Sequence, residues 1–438
     1  GTSMRDYHKF LAWVAVGSVS LIVAGTDAHA GSFAIREQSA TGQGASFAGV
    51  AAGSAGLSSM FWNPATITMS PGFRFEGHAT VIFPEAKINP DLPTLGLVGA
   101  LGGTPVGSGN IGQTAFVPAA YAGYQVTDRL WLGVSVNSPF GFITKAEQNW
   151  AGQTYGRSSK AFSVNVTPTI GYKVTDWLSI GVGLQVQYFD VTLKRALGVS
   201  PLAPGAILEG DAYGVGYTLG LTLTPFEGTE IGLGFRSSIR HQLEGNLILG
   251  PGTILPVKAN VNLPEVVSVG ISQRLSPQWK VMAGVEWTNW SRLNVVPVTS
   301  AATGLAVTAL PFSYRDGWFA SVGAEYQVNE QLALRAGLGY EWSPITDRTR
   351  DVRIPDNDRF WASIGATYQW NDQLSFDIGY THIFVKDTDI RLVPGNPQFS
   401  ALPFVAESKP TVDIVSVALK YRWDKPERPI PAPVVRKY

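Results

Sequence analysis

One short turn is written into this chain four times, and its setting restricts the fold more than any other feature. Tyr124-Gln125-Val126-Thr127-Asp128-Arg129-Leu130, Tyr172-Lys173-Val174-Thr175-Asp176-Trp177-Leu178, Tyr326-Gln327-Val328-Asn329-Glu330-Gln331-Leu332 and Tyr368-Gln369-Trp370-Asn371-Asp372-Gln373-Leu374 read almost alike. Arg274-Leu275-Ser276-Pro277-Gln278-Trp279 is a looser copy. Each joins two runs of alternating apolar and polar residues, which is the pattern of a β-hairpin. Long hairpins with short turns at one end and long loops at the other describe a membrane β-barrel.

The runs themselves agree. Leu178, Ile180, Val182, Leu184, Val186 and Tyr188 share one face, opposite Ser179, Gly181, Gly183, Gln185 and Gln187. Leu332, Leu334, Ala336, Leu338, Tyr340 and Trp342 repeat the pattern, as do Phe360, Ala362, Ile364, Ala366, Tyr368 and Trp370. Period two over about 11 residues is the length of a tilted strand crossing a bilayer. Aromatic residues at the ends of the apolar face suit the two membrane interfaces. A water-soluble sandwich would turn such faces inward and use shorter strands.

Only 15% of the 438 residues are charged, against about a quarter in ordinary soluble domains. The deficit points to a large surface that meets something other than water. With 33 basic and 33 acidic side chains, nothing favours nucleic acid as a partner. The absence of cysteine removes disulfides, thiol catalysis and most zinc sites.

The N-terminus indicates export. Met4 is read as the native start, with Gly1-Thr2-Ser3 an appended scar. Arg5 and Lys9 precede an apolar run over residues 10–24, and Ala28-His29-Ala30 forms a cleavage site, so residues 1–30 are expected to be a signal peptide. No later stretch has the roughly 18 apolar residues of a spanning helix. The expected location is the bacterial outer membrane, spanned many times by strands.

Fourteen strands are counted, starting near Arg74, Phe116, Leu130, Ala161, Leu178, Asp211, Glu230, Asn260, Trp279, Arg315, Leu332, Arg359, Leu374 and Thr411. An even number returns both ends of the wall to the periplasmic side. Long extracellular loops are expected at 84–114, 140–159, 194–210, 243–258, 292–312, 343–358 and 388–409. A barrel this wide is not filled by its own side chains. Residues 31–72, rich in Gly, Ala and Ser, are the segment available to plug it. The fold class is therefore all-β: a 14-stranded antiparallel transmembrane barrel over residues 73–423, an N-terminal hatch over 31–72, and a Pro-rich periplasmic tail over 424–438. Pro118 and Pro168 fall inside strands and are read as bulges.

Phe61-Trp62-Asn63-Pro64-Ala65 in the hatch segment, Asn262-Leu263-Pro264-Glu265 and Ile354-Pro355-Asp356-Asn357-Asp358-Arg359-Phe360-Trp361 carry a resemblance. So do Gly31-Ser32-Phe33 and Gln38-Ser39-Ala40-Thr41-Gly42. In these motifs the chain resembles the outer-membrane long-chain fatty-acid transporter family (FadL/TodX type). The resemblance implies a hatch that includes Phe33, Asn63, Pro64 and Ala65. It implies capture of hydrophobic substrate by extracellular loops, binding in the lumen, and release sideways through a kink in the third strand.

Residue types support such a kink. Leu130 to Val136 alternates, then meets Pro139, Phe140 and Gly141. Proline lacks a ladder donor and glycine weakens a strand, and an interruption within the membrane is expected only where it faces protein or a cavity. These three residues are the expected lateral gate; alternatively, Pro139 ends the strand at the rim. By similarity, Ser138 and Arg195 are the expected contacts for a carboxylate, and Arg195→Ala should weaken fatty-acid binding while sparing a hydrocarbon. Residues 295–313, where the family has a second cation, contain no Lys or Arg. That departure keeps a neutral aromatic or aliphatic hydrocarbon open as the ligand. Leu92, Leu95, Leu97, Val98 and Leu101, with Leu197, Val199, Leu202, Ile207 and Leu208, form apolar loop clusters of the kind that mark binding surfaces.

Other classes fare worse. A general diffusion porin needs an open charged constriction. An enzyme lacks support: beyond the signal peptide the histidines are His78, His241 and His382, none in a recognised catalytic spacing. No cofactor, metal site or nucleotide motif is expected. The expected partners are a long-chain fatty acid or hydrocarbon, outer-membrane lipid and lipopolysaccharide, with the barrel a monomer.

Overall fold

The structure is a computed structural model, and it describes residues 32–424. The expected signal peptide and nearly all of the Pro-rich tail lie outside the described residues.

Fourteen antiparallel spanning strands are present among the described residues. They are β1 (Phe73–Glu85), β2 (Ala115–Gln125), β3 (Leu130–Asn137 and Gly141–Lys145), β4 (Ser158–Lys173), β5 (Leu178–Ala196) and β6 (Gly205–Phe226). β7 (Thr229–Arg236 and Ile239–Leu249), β8 (Thr253–Leu263 and Val266–Arg274), β9 (Trp279–Thr288 and Val295–Ser300) and β10 (Ala306–Pro311 and Gly317–Gln327) are each interrupted. β11 (Leu332–Trp342), β12 (Arg359–Gln369), β13 (Leu374–Val385) and β14 (Thr411–Arg422) complete the wall. β1 pairs with both β2 and β14, so the sheet closes on itself.

The repeated turn has a local cause. The side-chain oxygen of its Thr, Asn or Ser accepts the backbone N–H three residues on: Leu130 from Thr127 at 3.0 Å, Leu178 from Thr175 at 3.0 Å, Trp279 from Ser276 at 3.1 Å, Leu332 from Asn329 at 2.9 Å and Leu374 from Asn371 at 2.8 Å. Such side-chain bonds mimic a backbone turn.

Alternation falls as expected. On β5, Leu184 is 53% exposed while its neighbour Gln185 is 2% exposed. Outward aromatics pair at both ends of the wall, as in Trp279–Tyr326 at 4.7 Å and Tyr340–Trp342 at 4.8 Å. Pro118 and Pro168 are not bulges. The register of β1 against β2, and of β4 against its neighbours, runs past each without a shift.

The loops at 194–210 and 243–258 are shorter than expected. The β5–β6 and β7–β8 hairpins continue beyond the bilayer because their upper halves pair with one another, with Glu244 opposite Asp211. In the upper half of the β7–β8 hairpin only the tip at residues 250–252, with Gly250 in a left-handed conformation, is unpaired. A similar short hairpin occupies the middle of 292–312. The remaining loops form a cap: Ile88–Pro90, Thr388–Leu392 and Phe404–Ser408 make a small sheet over an apolar cluster that includes Val98, Trp150 and Val352.

Residues 32–72 fill the lumen with short helical turns, Ala40–Gln43, Val50–Ala52, Gly56–Phe61 and Pro64–Met69. A row of inward glycines admits the hatch backbone. A Cβ at Gly232 would overlap the carbonyl of Ala51, one at Gly234 that of Trp62, one at Gly337 that of Ala45, and one at Gly181 the Pro64–Ala65 peptide. The Gly-x-Gly patterning of the strands is thus the imprint of the plug.

Candidate functional site: a framed window and a lumen cleft

The third strand breaks at the expected place. Asn137 stands opposite Asn165 on β4, and Gly141 stands opposite Phe162. Three residues, Ser138, Pro139 and Phe140, therefore face two, Ser163 and Val164: one residue is extra. The β2–β3 ladder ends at the pair Ala120↔Val136. Above it, Ala115–Ala119 pair only with β1, and Gly141–Lys145 only with β4. The two sides rejoin at the top, where Gly112 bridges Thr144 and the Lys145 N–H donates to the carbonyl of Ile111 at 3.0 Å. The result is a window in the wall with a closed frame. Pro118, which has no N–H to satisfy, lies in its half-paired side.

The N-terminal end of the hatch lies across this window from inside. Ala34 bridges Phe140 in antiparallel register. Ile35 N–H donates to Pro139 O and Gly141 N–H to Phe33 O, both at 2.8 Å. The backbone groups released by the kink are thereby satisfied, as burial demands. Phe33 sits among Phe140, Phe142 and Trp290, with ring centroids 4.7–6.1 Å away. Ser138, buried, gives its carbonyl to Gln38 at 2.8 Å. Tyr121 donates to the carbonyl of Gln38 at 2.7 Å, and Asn137 donates to the Tyr121 hydroxyl at 2.8 Å.

Below the strap lies a narrow cleft of about 50 Å³, lined by Pro139 and Phe140 of the window, Phe61 and Trp62 of the hatch, and Ile239, Leu263 and Pro264 of the wall. The interruptions in β7 to β10 lie around this region. Asn262-Leu263-Pro264-Glu265 supplies an apolar wall through Leu263 and Pro264, while Glu265 holds Arg292 through two oxygens at 3.1 and 2.8 Å. Asn63 joins hatch and wall. It accepts from Ala65 N–H at 3.0 Å and donates to Ala51 O at 2.7 Å and Leu221 O at 3.0 Å. Pro64 opens the turn that Asn63 caps, and Ala65 is fully buried.

The two charged residues of the hatch, in and beside the cleft, were not singled out in the sequence. Arg36 and Glu37 are the two charged residues of the hatch segment; Glu37 is buried and Arg36 nearly so. Arg36 bridges Glu286 on β9 at 2.7 Å and Glu341 on β11 at 2.9 Å. Burial works against its charge, but the two carboxylates more than offset this and hold the guanidinium above its ordinary value. Glu37 has no hydrogen-bond donor beyond its own backbone, and burial pushes its carboxyl up to about 7. Asp356, in the loop motif before β12, accepts from Ser32 N–H at 3.0 Å and Ser343 at 2.6 Å and pairs with Arg359. Its carboxyl lies below the usual range although burial opposes this, because Arg359 and those donors favour the anion.

Arg236, at the inner end of the lower half of β7, is the exception. It is buried, donates to Phe61 O at 2.8 Å and Gln185 Oε1 at 2.7 Å, and lies 4.0 Å over the Phe61 ring. No carboxylate among the described residues reaches ion-pair distance of it. The signal was present as an arginine in the inward register of Gly232 and Gly234, though nothing local distinguished it from other lumen charges. Arg195, by contrast, is exposed at the extracellular end of β5, its guanidinium 3.5 Å from Ala196 O, and does not line the cleft. The structure brings Ser138, Pro139, Phe140, Gly141 and Phe33 together and leaves Arg195 apart.

A closed barrel stoppered by a hatch, with a window beside an enclosed cleft, defines an outer-membrane protein for the uptake of hydrophobic compounds. Residues 21–423 match the family described as outer membrane protein transport protein (OMPP1/FadL/TodX), and the chain belongs to it. It is 24% identical to the long-chain fatty acid transport protein of Salmonella typhi over 86% of this chain and 93% of that one. Its fold is similar to that of a Pseudomonas aeruginosa FadL homologue (TM-score 0.81, 23% identity, 90% of this chain and 100% of that chain). It is also similar to the Pseudomonas putida toluene transporter TodX (TM-score 0.63, 17% identity, 90% and 100%).

Proposed function

We propose that the chain imports long-chain fatty acids passively. Extracellular loops capture the substrate, the lumen cleft widens to hold it as the hatch strap gives way, and it leaves sideways through the β3 window into the membrane. The observation that carries this reading is the framed window, whose Pro139 and Phe140 also line the cleft. The hatch, keyed into the wall by glycines, argues against a route straight to the periplasm or an open diffusion pore.

Arg236 fits a carboxylate. Its direct hydrogen-bond partners are neutral, and an incoming carboxylate offers bidentate pairing in a site shielded from water. We assign Ser138 to the window edge, where its hydroxyl is buried without a partner, and Arg195 to first contact at the mouth. Leu92 and Leu202, 82% and 93% exposed, suit capture of the apolar chain. Exposed Lys160, Lys194 and Lys258 on the upper parts of β4, β5 and β8 suit lipopolysaccharide phosphates. Closure of the sheet on itself leaves each barrel able to act as a monomer. A second reading, transport of neutral hydrocarbons by the same route, is favoured by the cation-free stretch 295–313.

Deleting Pro139 removes the extra residue and restores the β3–β4 register. Saturable uptake of labelled oleate is expected to fall at least tenfold while the barrel keeps its folded mobility on gels. Full uptake by that variant would overturn lateral release. A large steady conductance in the intact protein would favour a porin.

A further inference from the structure

The outer wall beside and below the window, across β1, β2 and the neighbouring β13 and β14, is hollow. Two directly opposed pairs of small residues form its floor, Gly77↔Ala120 and Ala79↔Pro118 on β1 and β2. On β5 and β6 the outward pairs are large instead, as in Leu184↔Tyr217 and Tyr188↔Tyr213. Phe75, Phe116, Phe376 and Leu419 stand around the floor and enclose a groove of about 390 Å³, within the range of ligand pockets. Ala120↔Val136, the pair that ends the β2–β3 ladder, belongs to the groove as well as to the window frame. Window and groove are therefore continuous.

We propose that this groove is a receiving site on the outside of the barrel for the single unbranched acyl chain of a long-chain carboxylic acid leaving the window. The inference rests on lateral release. Apart from the inward-turned His78, the lining is apolar and uncharged, so the groove accepts the chain and not the carboxylate. From the level of Phe75 to that of Phe116, which stands opposite Val81, β1 runs six residues, or roughly 20 Å, the scale of an extended long chain. A chain laid there exchanges apolar contact with the lumen for apolar contact with the wall, and passes into the bilayer without exposure to water. A larger hollow of about 640 Å³ on the far wall, bordered by Val285, Val322 and Leu338, lies away from the window and serves as an internal control.

The test uses the full protein in vesicles, with p-benzoylphenylalanine in place of Phe116 in one variant and Val285 in another, and alkyne-tagged oleate added from the extracellular side. At least fivefold more photolabelling at position 116 than at 285 is expected, with the ratio falling to about one when Pro139 is also deleted. Equal labelling at the two positions, which means bilayer lipid exchange fills both hollows alike, would overturn the proposal. So would a ratio that survives the deletion. Failure of the underlying reading is seen separately, as oleate uptake that is indifferent to deleting Pro139.

Discussion

Gly141 donates its backbone N–H to the carbonyl of Phe33 at 2.8 Å, so the start of the hatch is a short extra strand on the very segment whose kink opens the wall. Plug and window are joined by main-chain bonds, and what loosens one loosens the other.

Phe33→Ala removes the ring packed on Phe140, Phe142 and Trp290. Such a deletion costs on the order of 3–5 kcal/mol where the site is fully packed, concentrated here in the strap. Hydrogen exchange at the Ile35 and Gly141 amides is expected to accelerate at least a hundredfold, while the amides of β11 and β12 keep their protection. Unchanged protection at Ile35 would show that the strap is held by its hydrogen bonds alone.

Arg236→Gln keeps a donor and removes the charge. Hydrogen bonds to charged groups contribute about 1.5–3 kcal/mol, so oleate affinity is expected to drop roughly 10- to 100-fold, with binding of a neutral alkane of similar length unaltered. Arg195→Ala, placed at the mouth, is expected to slow oleate association while changing equilibrium affinity far less. Equal losses for acid and alkane in Arg236→Gln would point to packing and not to charge.

Gly232→Val places a side chain where the carbonyl of Ala51 lies. The hatch must shift, and planar-bilayer recordings are expected to show conductance bursts that are rare in the parent. A silent bilayer with a correctly folded barrel would mean that the hatch accommodates the bulk elsewhere.

Glu37 gives the hatch a pH dependence of definite sign. Buried, its carboxyl holds a proton up to about 7; released into water, it loses the proton near the ordinary 4.5. Docking is therefore strongest below about 4.5, weakens as pH rises from there to about 7, and is flat above. Protease cleavage within residues 32–72 is expected to quicken over that interval, and Glu37→Gln is expected to abolish the trend. Cleavage that slows as pH rises would contradict the assignment.

Much of the barrel could be read from single residues. Thr127, Thr175, Asn329 and Asn371 each cap their own turn, and Ile180 and Gln185 face where period two puts them. Such information is local. The window was half legible: Pro139 marked the break, but the frame depends on Gly112 meeting Thr144, a contact between distant segments. Pro118 was misread for the same reason. Its missing N–H costs nothing where no partner strand exists, and that absence is a tertiary fact. In the loops at 194–210 and 243–258 the turn residues Pro251 and Gly252 do form a turn, but only at a hairpin tip, because strand pairing between neighbouring hairpins carries the ladder through most of the rest. Arg236 could not be singled out, because lacking a countercharge is a property of its surroundings.

The ring of inward glycines bears on how the protein is assembled. Ala45, Ala51, Trp62 and Pro64 press their main chain into notches cut for them in the wall, leaving a stopper as broad as its bore. A stopper so fitted must be enwrapped while the staves come together; offered later to a finished cylinder, as a separate peptide, it is expected to stay outside.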